Sequence, residues 1–189
     1  MRSVLIVSGT DKSAEYLREM LARDGGRELS FARSCGEARR AMMERPFDLC
    51  VINAPLPDEF GDELAMDTAE RGAAQVMLIV RGEMFGPVSE RVEDHGVFTL
   101  AKPLTREQFW GALKLVAAAS ARLSRMRNEY QRLEQKLEDT HVVNRAKFLL
   151  MRYMSLTEPE AHRYIEKRAM DMRLRRRDVA QTIIKTYER

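Results

Sequence analysis

The chain has 189 residues, of which 44% are apolar and 32% are charged, a composition typical of one or two folded domains. No apolar run approaches 18 residues, and the first residues read as a strand and a turn, not as a secretory signal. These features predict a cytoplasmic protein without a membrane span. The two cysteines stand alone and the three histidines are scattered, so we expect no disulfide, no metal site and no cofactor.

Charge divides the chain into two dissimilar halves. Residues 1–104 carry 13 Lys and Arg against 18 Asp and Glu, whereas residues 105–189 carry 19 against 11. A basic segment can attract a polyanion such as RNA or DNA, although a solvated helical surface gives the same count. The two halves suggest two functions, and charge alone leaves nucleic-acid binding open.

The first half alternates short apolar runs with amphipathic helical patterns, which include helices at 13–23 and 36–44. The central runs are almost continuously apolar, as parallel strands covered on both faces should be. Strands that alternate with helices predict a doubly wound α/β sheet. Its five parallel strands are expected at residues 3–8, 29–32, 48–53, 75–80 and 96–101.

From residue 105 the pattern changes to one long helix, because residues 105–154 contain no proline and a single glycine. Within residues 105–140, apolar side chains recur at the heptad spacing of a coiled coil, surrounded by charges of both signs. The pattern predicts a homodimer, and the alternative is a helix packed back on its own sheet. The predicted dimerisation residues are Val116, Leu123, Met126, Tyr130, Leu133 and Leu137.

Two shorter helices end the chain. Thr157 and Glu160 form a capping box that starts the first of them, and the second starts near Arg175. Ala161, Ile165, Ala169 and Met172 are expected on one face of the first helix. Together with the end of the long helix, these two predict a small three-helix bundle.

The order of elements over residues 1–120, together with Lys102 before a proline at the end of the fifth strand, resembles the receiver domain of bacterial response regulators. The resemblance implies a phosphorylation site with an acceptor carboxylate on the third strand, an acidic pair after the first, a hydroxyl on the fourth and a lysine on the fifth. Of these groups this sequence keeps only the lysine. The residues at the degenerate site are Ser8, Gly9, Asn53, Val80 and Lys102.

These replacements change the chemistry of the site. The neutral amide of Asn53 is not a nucleophile for phosphate, and Ser8 and Gly9 offer no carboxylate to Mg²⁺. We therefore predict a pseudo-receiver, meaning a receiver-like domain that cannot accept phosphate. Asp11 and Asp58 are expected to be loop or helix-cap carboxylates. Control would then come from a regulatory protein partner, a ligand or protein abundance.

Residues 137–189 are similar to the ANTAR domain of the AmiR and NasR transcription antitermination regulators. The matching segments are AKFLLM at 146–151, EAH at 160–162, YI at 164–165, RAM at 168–170 and DVA at 178–180. Phe148, where many members have glycine, and the basic run at 175–177 depart from the family pattern. The resemblance implies a dimer that binds paired hairpins in nascent mRNA, disfavours an intrinsic terminator and lets polymerase read through.

Cationic and flat side chains in this segment suit RNA, because hairpin loops present crowded phosphates and unstacked bases. Lys147 is also consistent with a position beside the apolar face, and Tyr164 with packing inside the bundle. The arginine run is also consistent with solvated charge. The candidate RNA-binding residues are Arg145, Lys147, Arg152, Tyr164, Arg168, Arg175, Arg176 and Arg177.

Two other functions remain open. Three helices with a basic segment also build DNA-binding response regulators. A docking bundle that binds proteins and no nucleic acid is the third possibility. The sequence shows no pair of nucleophile and base and no phosphate-binding glycine loop, so enzyme activity is not expected.

Overall fold

The computed structural model of the protein describes residues 1–22, 26–72 and 74–188. Residue 23, the end of one predicted helix, and residue 189, the end of the predicted C-terminal domain, lie outside these ranges. The chain forms two compact units, Met1–Arg122 and Leu123–Arg189. Within the described residues, no helix combines the length and the apolarity needed to cross a membrane.

A five-stranded parallel sheet in the order β2-β1-β3-β4-β5 forms the centre of the first unit. Each strand begins and ends within one residue of its predicted position, so the predicted fold class is confirmed. Strands β1 and β3 end side by side, with Ser8 opposite Asn53. The strands are β1 (Ser3–Ser8), β2 (Glu28–Ala32), β3 (Leu49–Asn53), β4 (Gln75–Arg81) and β5 (Val97–Lys102).

Helices cover both faces of the sheet. The first begins two residues earlier than predicted, because the Thr10 side chain accepts a hydrogen bond from the Ser13 N–H at 3.4 Å and caps it. Short 3₁₀ turns at Gly82–Met84 and Glu93–His95 flank the fourth helix. The helices of this unit are α1 (Asp11–Leu21), α2 (Cys35–Glu44), α3 (Asp62–Glu70), α4 (Phe85–Val92) and the first part of α5 (Arg106–Met154).

The start of α5 belongs to the core of the first unit. Phe109, Leu113 and Val116 are buried among apolar residues of β1, β3 and β4. The prediction that Val116 belongs to a dimer interface is therefore wrong, because its fully buried side chain has no surface left for a partner. The heptad spacing of apolar residues extends toward the start of α5, into a part of the helix that packs on its own sheet.

The second unit is a three-helix bundle made by the end of α5, α6 (Glu158–Met172) and α7 (Arg176–Tyr187). Thr157 caps α6 as predicted, since its backbone N–H donates to the Glu160 carboxylate at 2.8 Å. Met172 is exposed at the end of α6, so its predicted place on the buried face is wrong. Ala146, Leu150, Ala161, Ile165, Ala169, Val179, Ala180 and Ile183 form the core.

We expect Val116→Ala to lower the free energy of unfolding of the first unit by roughly 2 kcal/mol, because it leaves a cavity in a closed core. Trp110, the single tryptophan, packs against this core and reports its unfolding in denaturant. Leu123→Ala, at an exposed position of the same helix, should leave the Trp110 transition in place. A Val116→Ala chain with unchanged stability but a changed oligomeric state would contradict the assignment.

Candidate functional site

A basic groove, lined by α5, α6 and the residues at the start of α7, lies on the second unit. Its volume is about 840 Å³. Among the described residues that line it, five are cationic and one is acidic. The lining residues are Lys136, Asp139, Thr140, Val143, Asn144, Lys147, His162, Leu174, Arg175, Arg176 and Arg177.

Two features of the chain bring these residues together. Lys136, Thr140 and Lys147 lie on one face of α5 because helical side chains three, four, seven and eleven positions apart point the same way. Arg173 then ends α6 in the left-handed conformation, with φ at 52°, and turns the chain so that the arginine run returns toward α5. The groove is therefore a consequence of helix periodicity and one tight turn.

Acidic neighbours hold most of the groove cations in place. Lys147 Nζ lies 2.6 Å from Glu158, Arg176 lies 2.9 Å from Glu166, and Arg175 lies 3.1 Å from Asp178. The hydrogen bond from Lys147 keeps the pKa of Glu158 below its usual range, and Arg175 does the same for Asp178. Arg175 and Arg176 are exposed, and such ion pairs contribute about 0–1 kcal/mol, so a phosphate can replace their carboxylates, whereas the Lys147 side chain is only 15% exposed.

Arg177 and Lys136 differ from the other groove cations. The Arg177 side chain is largely buried and bridges Asp139 at 3.0 Å and Glu138 at 3.2 Å, which joins the start of α7 to α5. Within the described part of the chain, Lys136 forms no ion pair and remains open to an anion. The groove thus combines one cation that bridges two carboxylates with others that have a single carboxylate partner or none.

The structure brings together only half of the candidate RNA-binding residues. Lys147, Arg175, Arg176 and Arg177 line the groove, whereas the other four do not. Arg145 pairs with Glu188 at 2.5 Å.

The remaining three candidates are engaged with aromatic rings. Arg152 lies over the ring of Tyr153 at 5.5 Å, and Arg168 lies over that of Tyr164 at 5.7 Å. The ring of Tyr164 is half-buried against the bundle core, in line with the packing alternative. RNA contact by any of the eight residues remains a prediction.

Sequence reasoning missed several groove residues and one aromatic pair. Helical spacing from Lys147 back to Lys136 would have identified the α5 wall. The rings of Tyr153 and Tyr187 stack with centroids 5.2 Å apart at an angle of 17°. No local signal links these two tyrosines, because they meet only when α7 packs on α5. The missed groove residues are Lys136, Thr140, Asn144 and His162.

An exposed apolar stripe runs along the part of α5 that begins the second unit. Its five members recur at alternating steps of three and four residues, and each is between 56% and 69% exposed. Large apolar side chains in a regular row are costly in water, so this stripe suits a partner helix. The stripe consists of Leu123, Met126, Tyr130, Leu133 and Leu137.

The degenerate site of the first unit is a neutral hydrogen-bond network. Asn53 Nδ2 donates to Ser8 Oγ at 3.2 Å, and Ser8 Oγ donates to the Thr10 carbonyl at 3.3 Å. Val80 is fully buried and offers no hydroxyl. Lys102 Nζ donates to the Ala54 carbonyl at 2.7 Å, as expected for a lysine held near Asn53.

Two nearby residues reinforce this arrangement. A Cβ atom at Gly9 would lie 2.9 Å from Cδ of Pro57, so the loop after β3 fills the space that a side chain at Gly9 would need. Asp58 accepts hydrogen bonds at 3.0 Å from the N–H groups of Cys35 and Gly36 and caps α2, which also lowers its pKa. Its expected role as a helix-cap carboxylate is confirmed.

The chain is similar to a known domain family and to a known protein. Residues 131–184 match the ANTAR domain family. The transcriptional regulatory protein PdtaR of Mycobacterium tuberculosis is 28% identical over 187 residues, which cover 98% of this chain and 90% of PdtaR.

Solved structures similar to this chain include receiver domains. The signal receiver domain of an HD domain-containing protein from Pseudomonas fluorescens Pf-5 has a TM-score of 0.58 at 18% identity, covering 66% of this chain and 92% of its own. The receiver domain of HemR from Leptospira biflexa has a TM-score of 0.54 at 24% identity, covering 61% and 94%. At these identities the likeness concerns the fold.

The first unit has a receiver fold, and helix α5 continues from it into the helical bundle of the second unit. The match to the ANTAR domain family over residues 131–184 falls within α5 and this bundle. The chain thus carries a match to the ANTAR domain family at residues 131–184, and it is similar to PdtaR along nearly its whole length.

We expect that acetyl phosphate with Mg²⁺ adds no phosphoryl group to this chain, because the amide of Asn53 cannot attack phosphorus and no carboxylate stands at Ser8 or Gly9. Asn53→Asp should not restore the reaction, since it supplies the nucleophile without the metal ligands. Intact mass spectrometry measures the outcome. A Mg²⁺-dependent gain of one phosphoryl group in either chain would contradict the prediction.

Proposed function

We propose that this protein is a transcription antitermination regulator that binds hairpins in nascent mRNA as a coiled-coil dimer. The observation that supports this most directly is the basic groove, whose lining residues all lie within the ANTAR-matching segment 131–184. The relative PdtaR is described as a transcriptional regulatory protein, which agrees with a role in transcription.

RNA binding by the groove follows from its electrostatics. An RNA backbone presents phosphates a few ångströms apart, and each cation that contacts one releases a condensed counterion. Arg175 and Arg176 are held at the groove wall by exposed, weak pairs, so a phosphate can take the place of each carboxylate at little cost, and Lys147 adds a third charge-assisted donor to the same wall. Arg177 keeps the start of α7 in position while these exchanges occur.

The apolar stripe on α5 supports the dimer. A second copy would cover its five side chains by knobs-into-holes packing, the arrangement that the heptad spacing favours. Two bundles on one coiled coil would bind two hairpins of the same transcript, and the second would bind at the effective concentration set by the first. A dimer therefore increases affinity for paired hairpins without any further contact.

Control without phosphorylation is the third part of the proposal. The neutral network of Asn53 and Ser8 and the crowding of Gly9 by Pro57 support it. A receiver fold without this chemistry can act by binding a regulatory protein partner or a ligand. It can also act as a constant scaffold, with the amount of protein setting the response.

We expect Lys147→Ala and Arg176→Ala each to weaken binding of a leader RNA hairpin about tenfold, because each removes a charge-assisted contact worth about 1.5 kcal/mol. Each should also reduce the slope of log affinity against log salt by roughly 0.7–0.9. Fluorescence anisotropy at several salt concentrations measures both effects.

Lys185→Ala is the matched control, because Lys185 is exposed on α7 outside the groove. Its affinity should stay near that of the natural chain, and circular dichroism should show equal helicity in all variants. Unchanged affinity in both groove variants would remove the groove from the site. Stronger binding to duplex DNA would favour a DNA-binding regulator, and no binding to either would favour a protein adaptor.

A substitution in the apolar stripe of α5 tests the proposed dimer. Leu133→Asp should convert the dimer to a monomer in sedimentation, because it places a carboxylate in an apolar seam. Leu115→Asp is the control, since Leu115 is 67% exposed on the same helix but lies outside the heptad positions. A Leu133→Asp chain that stays dimeric, or a natural chain that is monomeric, would contradict the assignment.

A further inference from the structure

We propose that the Lys102 hollow, a depression on the first unit at the carboxyl ends of the strands, binds a small organic monocarboxylate. This inference is independent of RNA binding, because every residue involved belongs to Met1–Arg122. The hollow has a volume of about 280 Å³ and is lined by Lys12, Ser13, Tyr16, Leu17, Asn53, Ile79, Lys102 and Leu104.

The charge of the hollow calls for an anion. The Lys102 ammonium is partly buried and donates one hydrogen bond, to the Ala54 carbonyl, which leaves two N–H groups to use. None of the described residues that line the hollow is acidic, and Lys102 forms no ion pair with any described residue. A partly buried cation without a counter-ion is costly, and a bound carboxylate relieves that cost.

Nearby carboxylates do not fill this role. Asp58 is occupied as the cap of α2, and Asp11 pairs with Arg33 at 2.9 Å. Burial, with a smaller contribution from Arg81, lowers the pKa of Lys102, as expected for an ammonium with too little compensation. Replacement of the acceptor carboxylate by Asn53 thus leaves a site with the opposite charge balance to a phosphorylatable receiver.

Polar groups beside Lys102 complete a carboxylate site. Lys12 lies at the mouth of the hollow and adds a second positive charge. The Ser13 hydroxyl accepts a hydrogen bond from Thr10 at 2.9 Å, so its own proton can be donated to a ligand. Two cations and one hydroxyl match the two oxygens of a carboxylate.

The apolar part of the wall determines which uncharged part of the ligand fits the hollow. Leu17 and Ile79 are buried, and Leu104 and the Tyr16 ring close the side, with the Tyr16 hydroxyl donating to the Leu104 carbonyl at 3.1 Å. Small-molecule sites begin at about 300 Å³, so the ligand is small. Apolar walls favour a short alkyl or aryl carboxylate over inorganic phosphate, which would leave those walls uncovered.

The test uses the full chain with its lysines labelled at ¹³Cε and hexanoate as the probe. The chain has seven lysines, and the signal of Lys102 is assigned as the one lost in Lys102→Met. Millimolar hexanoate should shift the Lys102 and Lys12 signals saturably while leaving that of the exposed Lys114 in place. Hexanol has the same alkyl chain as hexanoate but no charge, and inorganic phosphate has the charge but no alkyl chain. Each should bind at least tenfold more weakly than hexanoate.

Two variants separate a binding role from a structural one. Lys102→Met should weaken hexanoate binding at least tenfold, followed on the Lys12 signal, whereas Lys114→Met should leave it unchanged. Trp110 fluorescence in denaturant checks that both chains remain folded. The proposal is overturned if hexanoate causes no saturable shift, or if it shifts the Lys102 and Lys114 signals equally. It is also overturned if hexanol or inorganic phosphate binds as tightly as hexanoate.

Discussion

The covering of apolar side chains along α5 is the constraint on which the rest of this protein depends. At its start, Phe109 and Leu113 are buried on the sheet, and near its end Ala146 and Leu150 are buried in the bundle. Between these segments the stripe from Leu123 to Leu137 has no cover in a single chain. Because both ends of the helix are packed in their own cores, the uncovered middle is the surface that the proposed dimer would bury.

Acidic residues also have a role in the RNA interface that is proposed for the bundle. Glu158 and Glu166 hold Lys147 and Arg176 at the groove wall, which reduces the side-chain entropy lost when a phosphate binds. The carboxylates lower the net charge of the free domain, and this limits non-specific attraction to polyanions. The net positive charge at the groove is thus smaller than the excess of Lys and Arg over Asp and Glu in residues 105–189 suggests.

The local sequence pattern was enough to predict the sheet, but it was not enough to locate the dimerisation residues and the candidate RNA-binding residues. Apolar runs bounded by turns located all five strands, because buried parallel strands leave a signal in consecutive residues. The heptad pattern failed at Val116, since a helix that packs on a sheet and a helix that packs on a helix repeat their apolar residues alike. Four of the candidate RNA-binding residues lie outside the groove, because basic composition does not specify which side of a helix each residue occupies.

The degenerate site shows a further limit of reading residues one position at a time. Replacement of carboxylates by Ser8, Gly9 and Asn53 indicates what chemistry is lost, but the crowding of Gly9 by Pro57 depends on a loop whose path only the fold reveals. Lys102 stays at the end of β5 and donates to the Ala54 carbonyl although no carboxylate of a described residue pairs with it. A site that loses its acids and keeps its lysine can still have a function: under the proposal made for the Lys102 hollow, it favours an anion where a phosphorylatable receiver favours Mg²⁺.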